Sequence, residues 1–268
     1  MSEIIHGDCL EVMRGLAPGC VDLVIGSPPY AEKGERYGNS RPWTTKDWID
    51  WMVDVTYEAV RVSRNVVILV VNGAVRDGAY LPACEGLVWR CHEYGIICER
   101  HVIWHKNATP NRKDWFGNNW EFCLAFRPEN STRYFNWEAI AQPPKNRSGG
   151  RFRQRTKSGK RRLGNEYPKN KLARPRDVLR VTVGGGHMGS KLASLNEAPF
   201  PEKLVEPFIL TCVPPDGTVL DPFCGSGTTL AVAERLGRKW IGIDSRESEV
   251  ELSRRRIEEV RKTRKAAV

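Results

Sequence analysis

Apolar positions along the chain repeat with two different periods. Short β-branched runs read as strands, and stretches with apolar residues three and four apart read as helices. A strand at Glu3–His6 precedes a helix from Cys9 to Leu16, and a buried strand covers Val21–Ile25. Lys46 to Ser63 has helical spacing, with Trp48, Trp51, Met52, Val55 and Val60 on one side. Asn65–Val71 is one continuous run rich in Val and Ile, the pattern of a strand covered on both faces. Leu81–Tyr94 reads as a helix. Ile96–Trp104 and Glu121–Phe126 read as strands suited to an antiparallel pair at one edge. After a turn-rich stretch from 128 to 183, ending at Gly184-Gly185-Gly186, the regular pattern resumes. It gives a helix at Glu202–Cys212, a strand at Thr218–Leu220, a helix at Thr228–Leu236, a strand at Trp240–Ile243 and a charged helix at Glu247–Lys262. No internal repeat is visible.

Strands alternating with helices predict an α/β fold: a mostly parallel, Rossmann-like sheet with helices on both faces. The pattern divides the chain into 1–127, a basic region 128–186 and 187–268. In open sheets of this kind a ligand sits beyond the carboxyl ends of the strands, where strand order reverses. Two loops qualify, one after Val21–Ile25 and one after Thr218–Leu220.

The first loop is Ser27-Pro28-Pro29-Tyr30. Two prolines cannot extend a central strand, because neither donates a ladder hydrogen bond. They leave a stiff turn that carries a hydroxyl, free carbonyls and an aromatic ring. The second loop is Asp221-Pro222-Phe223-Cys224-Gly225-Ser226-Gly227-Thr228-Thr229. Its glycines permit a sharp turn and close approach of backbone to ligand. The last glycine of GxGxxG is missing and no GK[ST] follows, which weakens the dinucleotide and P-loop readings. Asp221 would repel phosphate and suits an ammonium or hydroxyl group. Asp244, at the end of the next strand, is placed to bond a ribose diol. Together they point to a nucleoside cofactor without a polyphosphate, namely S-adenosyl-L-methionine.

Composition adds two constraints. The chain has 268 residues and a net charge of +10. Fourteen Lys or Arg against two acids fall in 145–180, so the rest is nearly neutral. A basic insert on a neutral domain implies a polyanionic partner, and Arg151, Arg153, Arg155, Lys157, Lys160, Arg161 and Arg162 are the candidate contacts to it. A solvated, disordered linker is the competing reading of the same stretch. The loop 31–45, with Lys33, Arg36, Tyr37, Arg41 and Trp43, reads equally as a solvated loop and as one that closes over the polyanionic partner. The eight cysteines are scattered without a CxxC pair, which favours reduced thiols. Cys91, Cys98, His101 and His105 offer zinc-type donors, but their even scatter through an apolar region fits packing, and no metal is expected. The start "MSEIIHGDCL" lacks a signal pattern, and no apolar run reaches the ~18 residues of a membrane span.

"DPFCGSGTT" together with "SPPY" resembles the amino-methylating DNA methyltransferases, whose catalytic tetrad is [DNS]-P-P-[YFW]. The tetrad precedes the glycine loop with a basic segment between them, which is similar to the circularly permuted "beta" group, where that segment is a target-recognition region. The resemblance covers nearly the whole chain outside about 128–183. It assigns Ser27, Pro28, Pro29 and Tyr30 to catalysis by base flipping and in-line methyl transfer. "GDC" implies that Asp8 and Cys9 border the cofactor, the acid reading its adenine. "NEAPFPEKLVEPFI" implies cofactor contacts from Asn196, Phe200 and Pro201, with Asn196 standing where the family usually has His. "VIWHKN" and "WEFCLAF" match the family's later strands. Serine at the first tetrad position accompanies methylation of cytosine N4, whereas aspartate accompanies adenine N6. The resemblance therefore implies a cytoplasmic, site-specific DNA methyltransferase of a bacterial or virus-infected cell. It acts on double-stranded DNA, with room for a homodimer and for a cognate restriction endonuclease. Adenine N6 is the nearest alternative. RNA or protein-glutamine methylation fits less well, because the motif order is reversed. A DNA-binding protein with a degenerate cofactor site is the non-enzymatic alternative.

Overall fold

The computed structural model describes residues 2–31, 44–107, 116–129, 131, 133–143, 151–166, 172–184, 186–196 and 198–266. In chain order the elements begin β1 (Glu3–His6), α1 (Cys9–Gly15), β2 (Val21–Gly26), α2 (Thr45–Val62) and β3 (Ser63–Val71). Next come β4 (Ala74–Arg76), β5 (Ala79–Leu81), α3 (Ala83–Glu93), β6 (Ile97–Cys98), β7 (Val102–His105) and β8 (Trp120–Arg127). β9 (Arg151–Arg155), β10 (Arg161–Glu166) and β11 (Val178–Arg180) follow, then α4 (Glu202–Cys212) and β12 (Thr218–Asp221). α5 (Thr228–Arg235), β13 (Lys239–Asp244) and α6 (Glu247–Ala266) complete the chain.

The main sheet has the order β1-β13-β12-β2-β3-β8-β7-β11, with β6 also paired to β8. From β1 through β3 the strands are parallel, β8 runs antiparallel to β3 and β7, and β11 is parallel to β7. Alternate residues of the central strands feed two cores. Val67, Leu69 and Val71 of β3 pack with Met13 of α1, Trp48 and Met52 of α2 and Leu87 of α3. Ile68 and Val70 pack on the other face with Phe208 of α4, Leu230 of α5 and Ile257 of α6. The strand order reverses between β12 and β2, so their C-terminal loops meet side by side.

Local chemistry fixes that meeting. Asp22 interrupts the apolar run of β2, and its Oδ2 accepts the Thr218 amide at 2.7 Å, which registers the start of β12 against β2. Gly26 ends β2 where a Cβ would lie 2.5 Å from Asp221 Oδ1. Asp8 caps α1, its Oδ1 accepting the amides of Leu10 and Glu11 at 2.9 and 3.1 Å.

The structure departs from the sequence reading in three places. Ile96–Trp104 divides into β6 and β7, and the β7–β8 pair is covered at the edge by β11. β11 is only three residues of an arginine-rich stretch, too short for a period-2 signal. The β4–β5 hairpin turns at Asp77-Gly78, both at positive φ. This Asp-Gly pair is a standard hairpin signal that the apolar pattern alone does not expose.

The chain forms two compact units, Met1–Phe135 with Asp177–Val268, and Asn136–Arg176. The second is narrower than 128–186, because Val178–Arg180 carries ladder hydrogen bonds to β7. Within it, β9 and β10 form an antiparallel hairpin pairing Arg155 with Arg161 and Arg153 with Leu163. This regular element stands where a disordered linker was the competing reading. The Arg174 guanidinium lies 5.3 Å from the Trp137 ring centroid.

Asp22→Ala should remove the buried acceptor of the Thr218 amide. Urea unfolding is expected to report a loss of about 1.5–3 kcal/mol, the scale of a hydrogen bond to a charged acceptor.

Candidate active site

The glycine loop is held from beneath and behind. Gly225 and Gly227 adopt φ of +48° and +76°, where side chains are strained. The Cys224 amide donates to the Ile243 carbonyl at 2.9 Å, and the Gly225 amide donates to Asp244 Oδ2 at 2.9 Å. Ser253 of α6 donates to the Gly225 carbonyl at 2.6 Å. A side chain at Gly225 would collide with the Asn196 amide, and a Cβ at Gly227 would lie 2.9 Å from Ser253 Oγ. Arg256 of α6 is fully buried. It donates to Thr228 Oγ1 at 2.9 Å and to Glu202 Oε1 at 2.8 Å, which ties the loop to the start of α4. Sequence reasoning had no signal for Arg256, because its helix is charged throughout.

The Pro-Pro turn is anchored from two sides. Trp48, fully buried in α2, donates its indole N–H to the Pro29 carbonyl at 2.6 Å. Tyr30 donates its hydroxyl to Glu121 Oε2 at 2.7 Å, and Lys106 reaches Glu121 Oε1 at 2.6 Å. No described residue takes the Ser27 hydroxyl or the Pro28 carbonyl.

A cleft of about 180 Å³ joins the two loops. Of the candidate residues it is lined by Asp8, Cys9, Ser27, Pro29, Asn196, Phe200, Pro222, Phe223, Cys224, Gly225, Ser226, Thr228 and Asp244. Pro28, Tyr30, Pro201, Asp221, Gly227 and Thr229 do not line it. Trp51 was read only as part of an apolar helix face. It also lines the cleft, its ring 5.9 Å from that of Phe223. Arg246 lines it too, donating its backbone amide to Asp244 Oδ1 at 3.0 Å. Each Asp244 oxygen thus accepts one backbone N–H, and a carboxylate retains further lone pairs for a diol. Asn196 is itself held, donating to Glu249 Oε2 and accepting from the Ala198 amide, both at 3.0 Å. The Cys9 thiol is pushed up to about 12, chiefly by burial and then by the Asp8 charge, so it is not a nucleophile here.

Asp221 does not face the cleft. Its Oδ1 accepts the Phe223 amide at 3.0 Å, and its buried Oδ2 has no hydrogen-bond partner among the described residues. Burial raises its carboxyl from the ordinary 3.8 to about 7.

In the second compact unit, Lys157 and Lys160 are exposed in the turn of the β9–β10 hairpin. Arg151, Arg153, Arg155, Arg161 and Arg162 lie on its strands. The candidate lid residues Lys33, Arg36, Tyr37, Arg41 and Trp43 fall outside the described residues. Cys91 packs in the core and Cys98 against it. No helix among the described residues is long and apolar enough to cross a membrane.

Residues 21–255 match the N6/N4 methyltransferase family model described as "DNA methylase". The type II methyltransferase M.ScaI of Streptomyces caespitosus is 27% identical over 95% of this chain and 81% of its own length. The DNA adenine methyltransferase YhdJ of Escherichia coli K12 is 27% identical, covering 95% of this chain and 82% of YhdJ. Among solved structures, the cytosine-N4-specific PvuII DNA methyltransferase superposes with a TM-score of 0.71. That match has 20% identity over 97% of this chain and 90% of that one. Its sheet and this one share the α/β fold of S-adenosylmethionine-dependent methyltransferases, and other matching structures are complexes with that cofactor.

The buried Asp221 carboxyl gives stability a pH dependence. Folded, it keeps its proton to about pH 7, whereas the unfolded chain releases it near 3.8. The folded state therefore binds more protons between those values, and this contribution to stability falls as pH rises through that window and levels off above it. Asp221→Asn should flatten that part of the unfolding free energy measured by urea titration from pH 5 to 8. A variant as pH-dependent as the parent would contradict the assignment.

Proposed function

The chain belongs to the N6/N4 DNA methylase family, and from that premise we propose that it methylates the exocyclic N4 of cytosine at specific sites in double-stranded DNA. The family uses S-adenosyl-L-methionine, and the residues around the cleft suit that group. Positive φ at Gly225 and Gly227 brings backbone to the cavity wall, and Asp244 and Asp8 present carboxylates without a phosphate-binding loop. When bound, the cofactor supplies a sulfonium-activated methyl. The observation that carries the reading is that Ser27 and Pro29 open onto the same cleft as Gly225 and Asp244.

The chain's own part is geometry and electrostatics. An exocyclic base amine is a poor nucleophile because its lone pair is delocalised into the ring. The Ser27 hydroxyl and the Pro28 carbonyl are the acceptors that draw the amine protons aside and free the lone pair. The prolines keep that carbonyl fixed, and the Trp48 bond to Pro29 holds the turn. Tyr30 offers the face on which an extruded base stacks, since the amine is out of reach inside a duplex. Serine in the tetrad supports cytosine. Adenine N6 is the second reading, favoured by the similarity to YhdJ. The motif order, with β1 and β13 adjacent and parallel, supports a circularly permuted arrangement of the beta type. The type II relatives support a restriction–modification setting. Unmodified DNA treated with the protein and cofactor, digested to nucleosides and weighed by mass spectrometry, should yield N4-methylcytosine. N6-methyladenine would overturn the choice of base.

Ser27→Ala should abolish most turnover while leaving cofactor affinity intact by calorimetry. Asp244→Ala should weaken cofactor binding by about 1.5–3 kcal/mol through lost hydrogen bonds to a charged acceptor. Because Asp244 also holds the Gly225 and Arg246 amides, circular dichroism should accompany the second measurement. Parallel loss of cofactor affinity in Ser27→Ala would refute the division of roles.

We read the hairpin unit as the target-recognition region. Replacing Arg151, Arg153 and Arg155 together with Ala should weaken DNA binding without altering cofactor affinity. For phosphate contacts, the slope of log affinity against log salt falls by about 0.9 per lost contact. For a base contact, discrimination against singly altered sites relaxes by about 1–3 kcal/mol. A triple variant with unchanged DNA affinity, slope and preference would make the hairpin a bystander.

A further inference from the structure

Tyr30, Glu121 and Lys106 come from the ends of three different strands, β2, β8 and β7. Tyr30 and Glu121 are 91 positions apart in sequence, yet the phenol donates to Glu121 Oε2 at 2.7 Å. Glu121 is 9% exposed, and its other oxygen takes the Lys106 ammonium at 2.6 Å. Lys106 also lies 5.4 Å from the Trp104 ring centroid, and its backbone amide donates to the Asn119 carbonyl at 2.6 Å. Trp104 is in turn fixed by its indole bond to the Val181 carbonyl at 3.0 Å. Glu121 is thus a buried carboxylate with both oxygens committed, as a buried charge must be.

We propose that Glu121, neutralised by Lys106, is a positioning residue that holds the far end of the Tyr30 ring in place before a base arrives. This rests on the reading of Tyr30 as the stacking face for that base. A tyrosine ring has two soft torsions. Rotation about Cβ–Cγ turns the ring about an axis that runs through the hydroxyl, so a bond at that atom does not hold it. Swing about Cα–Cβ carries the hydroxyl through a wide arc, and the bond to Glu121 Oε2 stops that swing. Phe or Trp in the fourth tetrad position would stack equally well but could not be held this way. The tie therefore acts on the ring's position and not on the cofactor cleft, which neither Glu121 nor Lys106 lines. A ring already in place spares the reorganisation otherwise needed when the reacting amine is presented to the methyl group.

The test uses the full chain, unmethylated phage λ DNA and radiolabelled S-adenosylmethionine. Tyr30→Phe should lower kcat about ten- to a hundredfold, the effect of losing one hydrogen bond to a charged acceptor. Its cofactor Kd by calorimetry should stay at the parent's value, and circular dichroism should show it folded, with the Lys106 pair to Glu121 intact. Single removal of Glu121 or Lys106 would leave a buried charge unpaired and could unfold the protein. The pair is therefore replaced together, Glu121→Leu with Lys106→Met. That double variant should show the same loss of kcat with unchanged cofactor affinity. Adding Tyr30→Phe to it should cost nothing further, because all three changes remove one tie. A folded double variant with the parent's kcat overturns the proposal, as do losses that multiply when the changes are combined. Tyr30→Ala separates the two levels of the argument. If it retains turnover, the stacking role itself fails. If it is inactive while Tyr30→Phe is fully active, stacking stands and the tie to Glu121 is refuted.

Discussion

Everything at this site depends on how closely two parallel strands end beside each other. β12 and β2 are neighbours in the sheet, and the loop leaving one carries the glycine turn while the loop leaving the other carries the Pro-Pro turn. Gly26 has no side chain where Asp221 stands, since a Cβ there would lie 2.5 Å from its carboxylate. The contact places the glycine turn and the Pro-Pro turn on one cleft. Asp22 aligns the same two strands at their other end. Strand register therefore sets how far apart the two turns stand.

That arrangement explains why so much of the fold was legible. Strands covered on both faces must be continuously apolar, so β2 and β3 announce themselves, and the helices that cover them show period 3.6. Glu202–Cys212 and Glu3–His6 match their expected bounds fully. Short edge elements lack this signature. β11 is three residues of an arginine-rich stretch, and β6 is only two residues. Their pairing comes from neighbours already in place, which is tertiary information that no local window holds.

The site was legible where backbone had to behave unusually, and illegible where ordinary residues act through others. Gly225, Gly227 and the two prolines mark their own backbone geometry, because few other residues fit it. Trp51 in a helix face, Trp48 beneath the Pro-Pro turn, Arg256 in a charged helix and Glu121 in a strand carry no such mark. Each looks like packing or a solvated charge until the fold brings it to its partner. Asp221 shows the reverse case: its place at a strand tip invites a ligand-binding role, while the fold buries its carboxyl and sets one oxygen on the Phe223 amide.

The pairing of β1 with β13 reaches from one end of the sequence to the other: the His6 ring contacts the Ser245 carbonyl at 3.1 Å, 239 positions away. The wall of the cleft formed by Gly7, Asp8 and Cys9 meets Asp244 only through this pairing. A substitution that loosens β1 would therefore open one wall of the cleft while leaving the glycine turn and the Pro-Pro turn untouched.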